Sequence, residues 1–191
     1  MLVSAVRSPR KPRGHGGERR QEILDAALAL YAHFRSLDEL RVEVCTQAFG
    51  DLRRRQAAQG DEDGSTRDGF LRTCRTYIDF GLEQPDAYRV AFMLEKPAAD
   101  PDVDGDRVLA AGLEAFGDFR RRLERLAAAG LTRPGDVTLL TQSLWAGLHG
   151  LVSLLIARPD FPWEERETLI ARHLELLADG VLQEEGVTPR R

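Results

Sequence analysis

Chemistry in this 191-residue chain would begin with its histidines, cysteines and clustered carboxylates, and the first two are few: His15, His33, His149 and His173, with Cys45 and Cys74. No histidine sits in an H-E-x-x-H and no G-x-S-x-G is present, so neither metal-assisted hydrolysis nor acyl transfer has its residues at the spacing it needs. The cysteines lie 29 positions apart with no C-x-x-C or Cys/His cluster near either. That signals neither a zinc site nor a disulfide framework, and both read as packed thiols. Asp100, Asp102, Asp104 and Gly105 reproduce the first half of a calcium loop, D-x-D-x-D-G. The twelfth position, which needs a bidentate glutamate, is Ala111, and Pro97 spoils the helix that should precede it. The loop is better read as acidic, with Asp104 or Asp106 capping the helix that follows. RGHGGE at 13–18 lacks the preceding strand and the GK[ST] ending of a phosphate loop. No enzyme, metal or cofactor is expected. A different pair stands out: Trp145 and His149 at i and i+4 share one helix face, with Gly147 and Gly150 letting another backbone come close. Such a histidine either lines a pocket or is simply packed.

The elements that must position these residues are all helical. Residues 1–17, MLVSAVRSPRKPRGHGG, read as a disordered basic arm. From Glu18, the apolar residues Ile23, Ala27, Leu30 and Tyr31 form one stripe. At Ser36 the sequence SLDE offers a capping box that would start a second helix through Leu37, Leu40, Val44, Ala48 and Leu52. No Pro or Gly lies between residues 18 and 50, so the two helices could instead fuse across His33 and Phe34. Gly60 and Gly64 mark a loop. A third helix is expected over about 66–82, then a short one in DAYRVAFML. A long helix follows over about 106–129, with Leu109, Leu113, Phe116, Leu123 and Leu126 inward and Gly130 as its C-cap. Pro134 suits the first turn of the next helix, which runs to about Ile156, and RPDFPW precedes a last helix over about 163–182. The fold class is all-α, the last two helices packing antiparallel across a short turn.

Composition agrees: 42% hydrophobic and 30% charged residues are ordinary for a globular chain with a sizeable core. The longest apolar run, 144–157, is short and interrupted by His149, so it reads as a buried helix rather than a membrane span. MLVSAV lacks the charge and length of a secretory leader, and a cytoplasmic location is expected. The net charge of −4 is unevenly placed, with six Lys/Arg against one Asp/Glu in residues 1–20 and 21 against 30 elsewhere. A basic arm on an acidic body points the arm toward a polyanion.

Two segments carry a family resemblance. RRQEILDAALALYA (19–32) is similar to the first helix of TetR-family bacterial regulators, and HFRSLDEL (33–40) to the end of their recognition helix and the start of the fourth helix. Further on, TYIDFGLEQPDAYRVAFML (76–94) and LWAGLHGLVSLL (144–155), with Trp145, His149 and Gly150, resemble the Trp-His-Gly (WHG) subgroup. The spacing departs from the family: roughly 25 residues normally separate the first two segments and hold most of the helix-turn-helix. Here Ala32 is followed directly by His33.

The resemblance implies a truncated N-terminal DNA-binding domain (18–60, with its connecting helix) and a C-terminal ligand-binding and dimerisation bundle (61–191). The groups left for DNA are Arg10, Lys11, Arg13, Arg19, Arg20, His33, Arg35 and Ser36, which make phosphate-type contacts that position a protein without reading sequence. Cys74, Tyr77, Met93, Trp145 and His149 are the implied contacts to a small apolar or amphipathic ligand, with simple core as the other reading. A homodimer would use Leu144, Leu148, Leu151 and Leu155 with Leu169, His173, Leu176 and Gly180. The function implied is a DNA-binding regulator, a repressor released by its ligand. The alternative is a dimerising ligand-binding protein that has lost sequence-specific DNA binding with its recognition helix.

Overall fold

Side chains and backbone compete for hydrogen bonds at the start of the chain, and that competition decides where its first two helices end and begin. In the computed structural model, which describes residues 16–60, 66–94 and 105–183, helix α1 (Gly16–His33) and helix α2 (Leu37–Ala57) do not fuse. The Phe34 amide still donates to Leu30 O at 2.8 Å, and the helix then stops. Ser36 Oγ accepts from the Glu39 amide at 3.1 Å, while the Glu39 carboxylate accepts from the Arg35 amide at 2.6 Å. This is the expected capping box with its return arm one residue upstream of the cap, and it supplies a break that needs neither Pro nor Gly. The chain falls into two compact units, Met1–Leu40 and Arg41–Arg191. In the first, α1 leaves Ile23, Leu28 and Tyr31 exposed.

The second unit holds the core. From Arg41 onward α2 buries Val42, Cys45, Phe49, Leu52 and Gln56 along one stripe, and Arg53 pairs with Asp118 at 2.6 Å and with Glu114. Helix α3 (Arg67–Glu83) begins where Thr66 Oγ1 accepts from the Gly69 amide. It buries Phe70, Cys74, Tyr77, Ile78 and Phe80. Pro85, with no N–H to lose, opens the single turn α4 (Pro85–Tyr88), which runs into a π-helical turn at Arg89–Met93. Helix α5 (Gly105–Ala128) ends at Gly130, whose φ of +72° is the left-handed conformation a helix C-cap favours.

Helix α6 (Val137–Ala157) starts later than expected: Pro134 lies ahead of it, and Asp136 caps it by accepting from the Leu139 amide at 3.0 Å. Its 21 residues make it longer than the apolar run suggests, long and apolar enough to cross a membrane. Here it is the core helix, burying Thr141, Leu144, Leu148, Leu151, Val152 and Ile156 and packing on α3, α5 and α7 (Arg166–Val181). Among the described residues the one departure from helix and loop is an isolated antiparallel bridge between Thr132 and Leu182.

Candidate ligand cavity

A cavity of about 610 Å3, within the range of small-molecule sites, opens among α2, α3, the π turn, α5 and α6. Its walls come from helix faces whose neighbours do not meet. Leu109 and Leu113 of α5, expected to point into a closed core, are 50% and 59% exposed and line this space with Phe116. The wall is aromatic: Phe49, Tyr77, Phe92, Phe116, Phe119, Trp145 and the His149 ring all face it. Their edges and faces meet, Phe49 against Phe92 at 5.1 Å and Phe116 against Trp145 at 6.2 Å between centroids.

One chain of hydrogen bonds crosses this wall. Trp145 Nε1–H donates to Tyr77 OH at 3.1 Å, and Tyr77 OH lies 2.9 Å from Tyr88 OH. Tyr88 OH lies 2.7 Å from His149 Nδ1, and His149 Nε2 lies 3.2 Å from Ser153 Oγ. A neutral His149 protonated at Nε2 lets the chain run one way: indole to Tyr77, Tyr77 to Tyr88, Tyr88 to Nδ1, Nε2–H to Ser153. The electrostatics agree. Burial holds His149 below the ordinary imidazole value, pushes Tyr77 up to about 12 and raises Tyr88 as well. The wall is therefore uncharged at neutral pH.

The structure brings Tyr77, Trp145 and His149 together at the cavity and leaves two expected contacts out. Cys74 of α3 is fully buried in the main core, its thiol raised by desolvation, and Met93 packs against the same core instead of lining the space. Missed by the sequence reading were Phe49, Gln56 and Phe92, which line the cavity, and Tyr88, which ties Tyr77 to His149. The only available signal was their position on apolar stripes, which is the same for core and cavity. Gly147 does admit a close neighbour: a Cβ there would lie 2.8 Å from Leu177 Cδ2. Gly150 does not, since a Cβ there would meet open space.

The dimer residues need correction. Leu144, Leu148 and Leu151 are buried inside the chain, Leu148 completely, so they cannot form the surface for a second copy. Leu155 and Leu169 are partly buried against the same core, and the His173 ring bonds to Gly147 O at 3.1 Å, tying α7 to α6 within the chain. Leu176, 54% exposed, and Gly180 remain at the surface. The physical reason is that α6 is apolar nearly all round, so a leucine stripe on it marks the inner seam as readily as the outer one. For DNA, Arg10, Lys11 and Arg13 lie outside the described residues, as do Asp100, Asp102 and Asp104 of the acidic loop. Arg19, Arg20, His33 and Arg35 are exposed, and the Ser36 hydroxyl is engaged as the α2 cap.

Residues 70–177, from α3 through most of α7, match the family described as tetracyclin repressor-like, C-terminal domain. Two solved structures from Rhodococcus RHA1 share the fold. One is a protein of unknown function, 20% identical, with a TM-score of 0.68 over 86% of this chain and 83% of that one. The other is a bacterial regulatory protein of the tetR family, 16% identical, with a TM-score of 0.64 over 84% of each chain. No curated protein matches the chain in sequence.

Proposed function

The chain belongs to the tetracyclin repressor-like (TetR) family, and we propose that it is a transcriptional regulator, a repressor released when a small, mostly apolar molecule enters the cavity. The observation that carries this reading is the 610 Å3 aromatic cavity with its Trp145–Tyr77–Tyr88–His149 chain, four residues that all lie inside the matched domain. A concave apolar space with a few fixed polar groups is what small-molecule recognition requires. Ligand and DNA then compete through one equilibrium, each favouring the conformation it binds better. Helix α2 is the element placed to transmit this, since it brings Phe49, Leu52 and Gln56 to the cavity and begins at the capped junction by Ser36. Arg10, Lys11, Arg13, Arg19, Arg20, His33 and Arg35 supply phosphate contacts, and two copies pair through the exposed faces of α6 and α7 around Leu176 and Gly180. A cytoplasmic location follows from that role.

One observation favours a second reading. Only Phe34, Arg35 and Ser36 separate α1 from α2, which leaves no second and third helix between them to enter a major groove. On this reading the protein binds ligand and dimerises, acting by pairing with an intact relative rather than by reading an operator. A gel-shift titration of the chain's own upstream region at moderate salt separates the two. A complex that survives excess unrelated DNA supports the repressor. Binding that is blind to sequence and collapses steeply with salt, by about 0.9 log unit per phosphate contact and log unit of salt, supports the second.

A further inference from the structure

The cavity differs between mouth and floor, and the difference restricts how a molecule enters it, given the reading above that it is a ligand site. Of the lining residues, Leu109 and Leu113 of α5 and Gln142, Trp145 and Ala146 of α6 are exposed, which sets the mouth between these two helices. Phe49, Leu52, Tyr77, Ala115 and Phe119 are buried and make the floor. Among the described residues that line the space there is no Asp, Glu, Lys or Arg.

The floor has little hydrogen-bonding capacity to offer. Tyr77 OH takes the Trp145 indole proton and bonds to Tyr88 OH, and both His149 nitrogens are engaged, by Tyr88 OH and by Ser153 Oγ. Gln56 is 4% exposed: its side-chain oxygen is shut off from the cavity, and its backbone carbonyl takes the Arg122 guanidinium at 2.6 Å. At the mouth Gln142 differs. Its side chain lines the cavity and is exposed, and no hydrogen bond ties it to another described residue. A primary amide offers both an N–H donor and a carbonyl acceptor, so it pairs with a hydroxyl, a ketone or an amide alike. A polar group carried to the floor loses its water and finds no such partner.

We infer that the cavity takes an amphipathic, ring-bearing molecule in one orientation, its apolar rings inward against Phe49, Tyr77 and Phe119 and its polar group at the mouth on the Gln142 amide. The aromatic floor packs against the rings, Gln142 pairs the polar end, and a molecule that is polar at both ends is rejected because its inner end has no partner.

The test uses the full chain loaded with the neutral fluorophore N-phenyl-1-naphthylamine and three competitors that differ by one hydroxyl at a time: biphenyl, 4-phenylphenol and 4,4′-dihydroxybiphenyl. The first hydroxyl should cost nothing, 4-phenylphenol displacing the fluorophore at least as tightly as biphenyl, because Gln142 pairs it. The second should weaken displacement about tenfold or more, because it is carried to the floor. In Gln142→Leu, a substitution at an exposed position that leaves the buried core untouched, 4-phenylphenol should fall about threefold or more below biphenyl. Two hydroxyls that cost the same factor in the wild-type chain would overturn the inference, as would a second hydroxyl without cost, and either result leaves the cavity standing as a binding site. A 4-phenylphenol that still matches biphenyl in Gln142→Leu would overturn it too. Failure of the fluorophore and of all three compounds to bind would overturn the cavity reading, and this inference with it.

Discussion

Gly81 shows how little room a single residue can leave. A Cβ there would lie 2.5 Å from Val152 Cγ1 and 2.9 Å from Tyr88 Cδ2, contacts that neither the α6 core nor the tyrosine stacked on Phe92 can yield cheaply. Gly81→Ala should therefore cost about 1–3 kcal/mol of stability. Gly150→Ala, pointing into open space on a helix, should gain about 0.5–1 kcal/mol. Urea midpoints at unchanged m-value measure both. In the sequence Gly147 and Gly150 look alike, three apart on one helix, and only the position of Leu177 on α7 separates them. The histidines make a second test at this scale. Burial holds both His149 and His173 below their ordinary value of 6.5, although the bond to Gly147 O works the other way at His173. The unfolded chain then takes up these protons at a higher pH than the folded one. Their contribution is intact above pH about 6.5 and is lost as pH falls below it. The drop in Tm between pH 7.5 and 5.5 should shrink in His149→Gln/His173→Gln. Glu165, held below its ordinary 4.5 by the Glu167 and Thr168 amides, acts below that window.

At the scale of elements, most boundaries are written in local chemistry. The Ser36 box, Gly130 and Pro85 each mark a helix end in the sequence and in the fold. Asp136 and Glu165 were overlooked, Asp136 because Pro134 is an equally good starting signal two residues earlier. Asp136→Ala should cost about 1 kcal/mol, read from thermal unfolding, with Asp136→Asn restoring most of it. Other features are invisible in a pattern. The π turn at Arg89–Met93 adds one residue to a helical turn, and nothing in RVAFM departs from ordinary helix. Its Leu94 amide donates to Arg89 O at 3.0 Å, and this turn is what supplies Ala91 and Phe92 to the cavity. Likewise Leu109, Leu113, Leu123 and Leu126 all sit on the apolar side of α5, yet the first two face a cavity and the last two are closed in. Periodicity reports which side of a helix is apolar, and whether a partner side chain fills the space beyond depends on distant segments.

For the whole molecule, the family and the all-helical architecture were legible because the signature segments around Tyr77 and Trp145 lie within the matched domain. The surface proposed for pairing was not, since α6 has no polar side to rule out. The leucines that remain exposed now give a sharper test. Leu176→Glu should yield folded monomers in sedimentation velocity, whereas Leu151→Glu, placing a charge in the buried core, should unfold the chain. The proposed regulation depends most on the cavity being a ligand site. Fluorescence titration with N-phenyl-1-naphthylamine, comparing the wild-type chain with Gly112→Phe, tests that directly, because Gly112 lines the cavity and a phenyl ring there would occupy it. A ligand cavity should give saturable uptake of one fluorophore per wild-type chain and its loss in Gly112→Phe, with both chains folded by circular dichroism. Equal uptake by the two, or none by the wild-type chain, would contradict it.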